Sequence, residues 1–224
     1  MAYPFVPAPE TIASHFIGAL RRCVRLETPY RRWSMTDAFP EALSTAILIL
    51  PIAPPMLGAT DGTRNAYNAR RTFFTPDLRS QFPVCENLCQ ALMRTDLARQ
   101  FERTLEVDAH GTFVRVEYIQ DTDGAWLEPH RDVPEKIFSM VLYLCTGPNA
   151  KDWGTDIYDD DKQSVGRSSA EFNSAAIFKA GRNTWHGFDK RPIVGVRRLM
   201  EINYVRDWRD RDQLAFPDAP VSTR

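Results

Sequence analysis

Histidine and cysteine are scarce in this chain. Only His15, His110, His130 and His186 offer an imidazole, and only Cys23, Cys85, Cys89 and Cys145 a thiol, among 224 residues. Cys85 and Cys89 are four apart, the spacing of neighbours on a helix, and no second couplet answers them. That argues against a zinc cage or a disulfide framework, and the four are expected as free thiols in a reducing cytoplasm. An excess of either charge is also lacking: 28 Lys and Arg stand against 29 Asp and Glu, for a net charge of −1. With the basic residues dispersed, no field recruits nucleic acid or an anionic membrane. Long apolar runs are missing too, since "STAILILPIAPP" at 44–55 is short and broken by Pro51, Pro54 and Pro55. The opening "MAYPFVPAPE" has no basic segment followed by an apolar core, so no secretory signal is expected and the chain reads as cytoplasmic.

What remains is the composition of a globular protein, 43% hydrophobic and 25% charged, with length for one sizeable domain spanning 1–224. Residues 1–110 read as mainly helical support. "PETIASHFIGALRRCVRL" puts Ile12, Phe16, Leu20 and Cys23 on one stripe, able to pack on the rest of the domain or on a second subunit. "PEALSTAILIL" at 40–50 reads as a short buried helix. Residues 75–106 read as two or three more, with Thr95 as a cap for Leu97, Phe101 and Leu105. From residue 111 the period changes to two. "TFVRVEYIQ", "KIFSMVLYLC", "GTDIYDD", "FNSAAIFKA" and "GVRRLMEINYV" read as strands of a core over 111–206, leaving 207–224 as a tail. Helices followed by strands predict an α+β domain with helices backing an antiparallel sheet or barrel. The segments 57–71 and 159–171 read as polar loops.

"EPHRD" places His130 and Asp132 two apart, so on a strand both face one side. His186 in "NTWHGFDKRP" is the candidate third ligand. Two imidazoles and a carboxylate on one face suit non-haem Fe(II) with positions left open. An isolated His-x-Asp is more often a satisfied polar pair, and the neighbouring motifs must decide.

Those motifs are "YIQDTDGAWLEPHRD", "KIFSMVLYL", "WGTDIYD", "FNSAAIF", "TWHGF" and "GVRRLMEINYV". In order and spacing, over residues 118–205, they resemble the Fe(II)/2-oxoglutarate-dependent oxygenases, in the prolyl-4-hydroxylase-like branch of the double-stranded β-helix (jelly-roll, cupin-like) superfamily. The resemblance implies that His130, Asp132 and His186 ligate Fe(II). It implies that 2-oxoglutarate is the cosubstrate and O2 the oxidant, with succinate and CO2 released. By the Gly-x-Arg match it implies that Arg197 holds the distal carboxylate, a task that suits a guanidinium's two parallel donors. Two residues more than the family spacing between His186 and Pro192 keep Arg198 as a rival. Strand parity favours Arg197, because Leu199, Glu201 and Asn203 share its side while Met200, Ile202 and Tyr204 suit packing on helices.

The Tyr-Leu match implies that Tyr143 donates to the same carboxylate, and parity sets it with Ser139 and Val141, opposite Phe138, Met140, Leu142 and Leu144. Tyr118 matches a second pocket tyrosine. Each is otherwise a core tyrosine with a satisfied hydroxyl. Trp126, Glu128 and Arg131 flank the ligands and either touch substrate or close the mouth. Trp185 is expected in structural packing and Asp156 in the cavity. The segment 64–74 is a substrate lid or a plain solvated loop.

The implied activity is hydroxylation of a small molecule such as an amino acid or natural-product intermediate, without nucleic-acid or membrane partners. The ligand Asp132 disfavours halogenation. A cupin-type metalloenzyme without a keto acid, a protein side-chain hydroxylase and a degenerate binding barrel are the competing functions, and Arg197 with Tyr143 is what a cupin-type enzyme would not need.

Overall fold

A computed structural model describes residues 5–55, 62–63 and 71–224. Among the described residues, five helices lie in the first half: α1 (Pro9–Arg22), α2 (Glu41–Leu48), α3 (Pro76–Gln81), α4 (Pro83–Met93) and α5 (Thr95–Leu105). Proline in the first turn of α1, α3 and α4 starts each helix where its missing N–H costs nothing. In α1, Glu10 at the start and Arg21 and Arg22 at the end complement the helix dipole. Thr75 caps α3 by accepting from the Leu78 N–H. The cap expected from Thr95 is not made: Thr95 is the first helical residue of α5, and Asp96 takes the Leu97 N–H at 2.9 Å.

The strands are β1 (Val24–Leu26), β2 (Arg32–Met35), β3 (Arg71–Phe73), β4 (Phe113–Asp121), β5 (Leu127–His130), β6 (Lys136–Tyr143), β7 (Asp156–Tyr158), β8 (Ser164–Arg167), β9 (Ser174–Phe178), β10 (His186–Phe188) and β11 (Arg197–Val205). They form a seven-stranded sheet, β1-β2-β9-β6-β11-β4-β3, and a four-stranded sheet, β5-β10-β7-β8, with antiparallel pairing throughout. The architecture is thus mixed α and β, dominated by antiparallel sheets.

The helices cover one face of the large sheet. Phe101 stacks on Phe138 at 4.7 Å and meets Phe16 and Tyr204 edge-on at 5.3 Å. Ile12, Phe16 and Leu20 of α1 are spent in this core, which answers the question of what that stripe packs on. The opposite face carries Ile119, Val141, Tyr143, Phe178 and Leu199, which cluster with Leu127, Ile157 and Phe188 of the small sheet. The site lies between the two sheets.

Several elements were not expected. β1, β2 and β3 extend the large sheet from within the helical half, and β8 forms inside the expected polar loop at 159–171. Every residue of β1 and of β8 is exposed, as suits edge strands, so neither shows an alternating apolar pattern. Residues 207–224 are more than a tail. Leu214, Ala215 and Val221 are buried, and backbone bonds join Ala215 to Val114 and Val221 to Gly111 and Thr112.

Candidate metal centre and its cavity

β5 and β10 pair so that His130 lies directly opposite His186. Gly187 lets the strands approach, since a Cβ there would stand 2.7 Å from the Leu127 carbonyl oxygen. Asp132 follows the end of β5 by two residues. One ligand atom from each of His130, Asp132 and His186 lies within 4.8 Å of the others. Asp132 Oδ2 is 3.9 Å from His186 Nε2, and the imidazole centroids are 4.3 Å apart.

The histidines are oriented as ligands are. His130 Nδ1 meets the Glu128 carbonyl at 3.0 Å and His186 Nδ1 meets the Thr184 carbonyl at 2.9 Å. Each carbonyl fixes the proton on Nδ1 and turns the Nε2 lone pair to ligation. Burial pushes the His186 pKa below its ordinary value against the pull of Asp132, keeping the ring neutral. Burial raises the Asp132 carboxyl, but the Lys136 ammonium, His186 and hydrogen bonds from Lys136 and Ser139 outweigh it and hold it well below the usual range. Two imidazoles, that of His186 kept neutral, beside an ionised carboxylate are the donor set that a divalent first-row metal takes, so the residues fit Fe(II).

Behind Asp132 runs a chain of buried charge. Lys136 Nζ donates to Asp132 Oδ1 at 2.8 Å and also to Glu201, while Ser139 donates to Asp132 Oδ2 at 2.7 Å. Glu201 lies 3.9 Å from Arg71, and Arg71 and Arg115 both pair with Glu117. Nothing in the local sequence singles out Lys136. Parity counted back from Tyr143 puts it among the helix-facing residues, but the register shifts at its end of the β6–β11 pairing and turns it inward.

The cavity between the sheets is lined by His130, Asp132 and His186, by Arg71, Lys136 and Glu201, by Ile119, Val141, Phe178 and Leu199, and by Arg197 and Thr155. Arg197 faces inward, as parity favoured over Arg198. Its Nη1 donates to Asp121 Oδ2 at 2.6 Å, its Nε donates to the Trp153 carbonyl at 2.8 Å, and its guanidinium lies 3.8 Å from the Phe188 ring centre. Tyr143 does not itself line the cavity; it is buried behind Thr155, which does, with its hydroxyl 2.7 Å from Thr155 Oγ1 and 2.5 Å from Ser168 Oγ. Burial raises its phenol pKa, with Ser168, Thr155 and Arg197 pulling the other way.

Tyr118 stands apart from this group. It pairs with Met200 and sits in the core beneath the helices, where burial pushes its phenol up to about 12. Asp156 does not line the cavity either: it accepts from Arg167 at 2.9 Å, from the Asp189 N–H at 2.7 Å and from Arg191, tying β7 to its neighbours. Trp126 packs over Gly62, and Glu128 is exposed, with its N–H bonded to the Gly62 carbonyl. Trp185 is half-buried between Arg131 at 4.6 Å and Lys162 at 4.5 Å, and with Arg131 and Arg182 it lines an open groove along the outer side of His130 and Asp132. The suggested lid lies, over 64–70, outside the described residues. The cysteines are free, and burial raises the thiols of Cys85 to about 12 and Cys145 to about 11, which makes them inert.

No family model and no curated protein matches the chain. Solved structures do match it. A prolyl 4-hydroxylase from Phytophthora capsici superposes with a TM-score of 0.60 at 13% identity, covering 91% of this chain and 67% of that one. A Pseudomonas putida prolyl-4-hydroxylase gives 0.55 at 14% identity over 88% of this chain and 100% of that one. An oxidoreductase of the 2OG-Fe(II) oxygenase family from Burkholderia pseudomallei gives 0.53 at 13% identity over 98% and 100%. At such identities the likeness is one of backbone, and on it this chain has the fold of the prolyl 4-hydroxylases and 2OG-Fe(II) oxygenases.

Proposed function

We propose that the chain is a one-domain Fe(II)- and 2-oxoglutarate-dependent oxygenase on a double-stranded β-helix core, and that it hydroxylates a C–H bond of a small molecule. The observation that carries this is the convergence of His130, Asp132 and His186 in a cavity that Arg197 also lines. His130, Asp132 and His186 would hold Fe(II), and Arg197 with Tyr143 would receive the distal carboxylate of 2-oxoglutarate. Bound together, these groups supply the O2 activation that releases succinate and CO2 and places one oxygen atom on the substrate.

The protein's own contributions follow from its geometry. Lys136 and Ser139 keep Asp132 ionised and aimed, and the two backbone carbonyls keep both imidazoles in the ligating tautomer. Ile119, Val141, Phe178 and Leu199 line the cavity with apolar surface and exclude water from it. The groove along Arg131, Arg182 and Trp185 borders the ligands from outside and is the route by which substrate would enter. A near-neutral chain with dispersed basic residues supports a small molecule over a nucleic acid.

The test is an anaerobic titration of metal-free protein with Fe(II) and then 2-oxoglutarate, following the visible charge-transfer band of the keto acid chelated to iron. The band is expected in the wild type and not in His186→Ala. Iron binding without a band at saturating keto acid sinks the oxygenase function and leaves a cupin-type metalloenzyme. Absence of metal binding sinks both.

A further inference from the structure

We propose that Asp121 is a specificity-determining residue for the cosubstrate: held in an ion pair with Arg197, it weakens capture of a dicarboxylic 2-oxo acid relative to a monocarboxylic one. This rests on the oxygenase function above and refines it.

Asp121 ends β4 directly opposite Arg197 at the start of β11, and their side chains meet at 2.6 Å. Both side chains are at most 2% exposed, so water does not screen the pair. The guanidinium is also fixed from two other sides, by the Trp153 carbonyl on Nε and by the Phe188 ring. Together these contacts hold it beside Asp121.

Among the described residues that line the cavity, every other cation is paired elsewhere. Arg71 and Lys136 are the remaining lining cations, and both belong to the chain through Glu117, Glu201 and Asp132. Arg198 is on the opposite face of β11. A distal carboxylate arriving here meets positive charge that Asp121 has already matched. It must share the guanidinium with a second anion in a dry site, or displace that anion into it. Pyruvate has the same metal-chelating end and no distal carboxylate, so it is indifferent to Asp121.

The experiment uses the full chain loaded with Mn(II), which binds keto acids without turnover, and measures 2-oxoglutarate and pyruvate affinity by calorimetry. Asp121→Asn keeps the shape and removes the competing charge. The variant is expected to bind 2-oxoglutarate about tenfold or more tighter than the wild type, with pyruvate affinity unchanged. Equal or weaker 2-oxoglutarate binding by a folded variant overturns the proposal and makes Asp121 only a support for Arg197, while the oxygenase function stands. Loaded proteins that bind neither keto acid, in either form, overturn the oxygenase function itself and this proposal with it. If Asp121→Asn does not fold alone, its refolding yield with Mn(II) and either keto acid is the second measurement. Rescue by 2-oxoglutarate and not by pyruvate is expected, and failure with both overturns the proposal.

Discussion

Both faces of the central strands of the seven-stranded sheet are buried, one largely apolar and the other mixing charged with apolar residues. On β11, Met200, Ile202 and Tyr204 enter the aromatic core under the helices, while Arg197, Glu201 and Asn203 on alternate positions face the small sheet. On β4, Val114 and Val116 go one way and Arg115, Glu117 and Asp121 the other. One strand thus holds the domain together with one side and prepares a binding site with the other. Burial alone does not say what a residue is for. Apolar burial adds stability by area removed from water, whereas buried charge is tolerated only in matched sets and is weak evidence for stability.

The comparison can be broken or sharpened by substitution. The largest effect is expected on the charged face. Lys136→Met leaves Asp132 and Glu201 without their shared cation and should cost about 3–5 kcal/mol in urea unfolding. Because a divalent cation can replace the missing charge at Asp132, Zn(II) should stabilise this variant more than the wild type; equal stabilisation would separate Lys136 from the metal site. On the apolar face, Phe101→Ala removes the ring that Phe16, Phe138 and Tyr204 surround. It should cost about 3 kcal/mol or more, with Co(II) affinity, read from its visible spectrum, unchanged. A shift in Co(II) affinity would mean that the two faces are not independent. His186→Ala should lower Co(II) affinity by about a hundredfold, near 3 kcal/mol, because one of the three candidate ligands is lost. The smallest effect belongs to an edge: Val165→Thr on exposed β8 should stay within about 0.5 kcal/mol in the same unfolding assay.

Much of this division was legible in the sequence. Strand parity separated Phe138, Met140, Leu142 and Leu144 from Val141 and Tyr143, and Arg197 from Arg198, because a strand buried on both sides must still alternate. His130, Asp132 and His186 could be grouped because the motifs around them match a known family, although Asp132 lies two residues beyond the end of β5 and not on a strand. The pairing of Arg197 with Asp121 was not visible, since 76 residues separate them and only the β4–β11 register makes them neighbours. Tyr118 was expected in the pocket from its place in a motif, yet its position on β4 is of the parity that faces the helices. Exposed β1 and β8 carry no burial signal, so their pairing follows from neighbours that a local pattern does not contain.

The inward turn of Lys136 makes length, and not only composition, a constraint. Lys136 reaches the carboxylate of a residue four places earlier, around a turn closed by its own N–H on the Val133 carbonyl at 3.1 Å. Add one residue to that turn and, counted from Asp132, Glu135 takes the place of Lys136, setting a like charge against the Asp132 carboxylate. Remove one and Ile137 arrives, which offers no charge at all. The spacing from Asp132 to Lys136 is therefore a ruler, and chains that share this site should vary in what the turn contains long before they vary in how many residues it has.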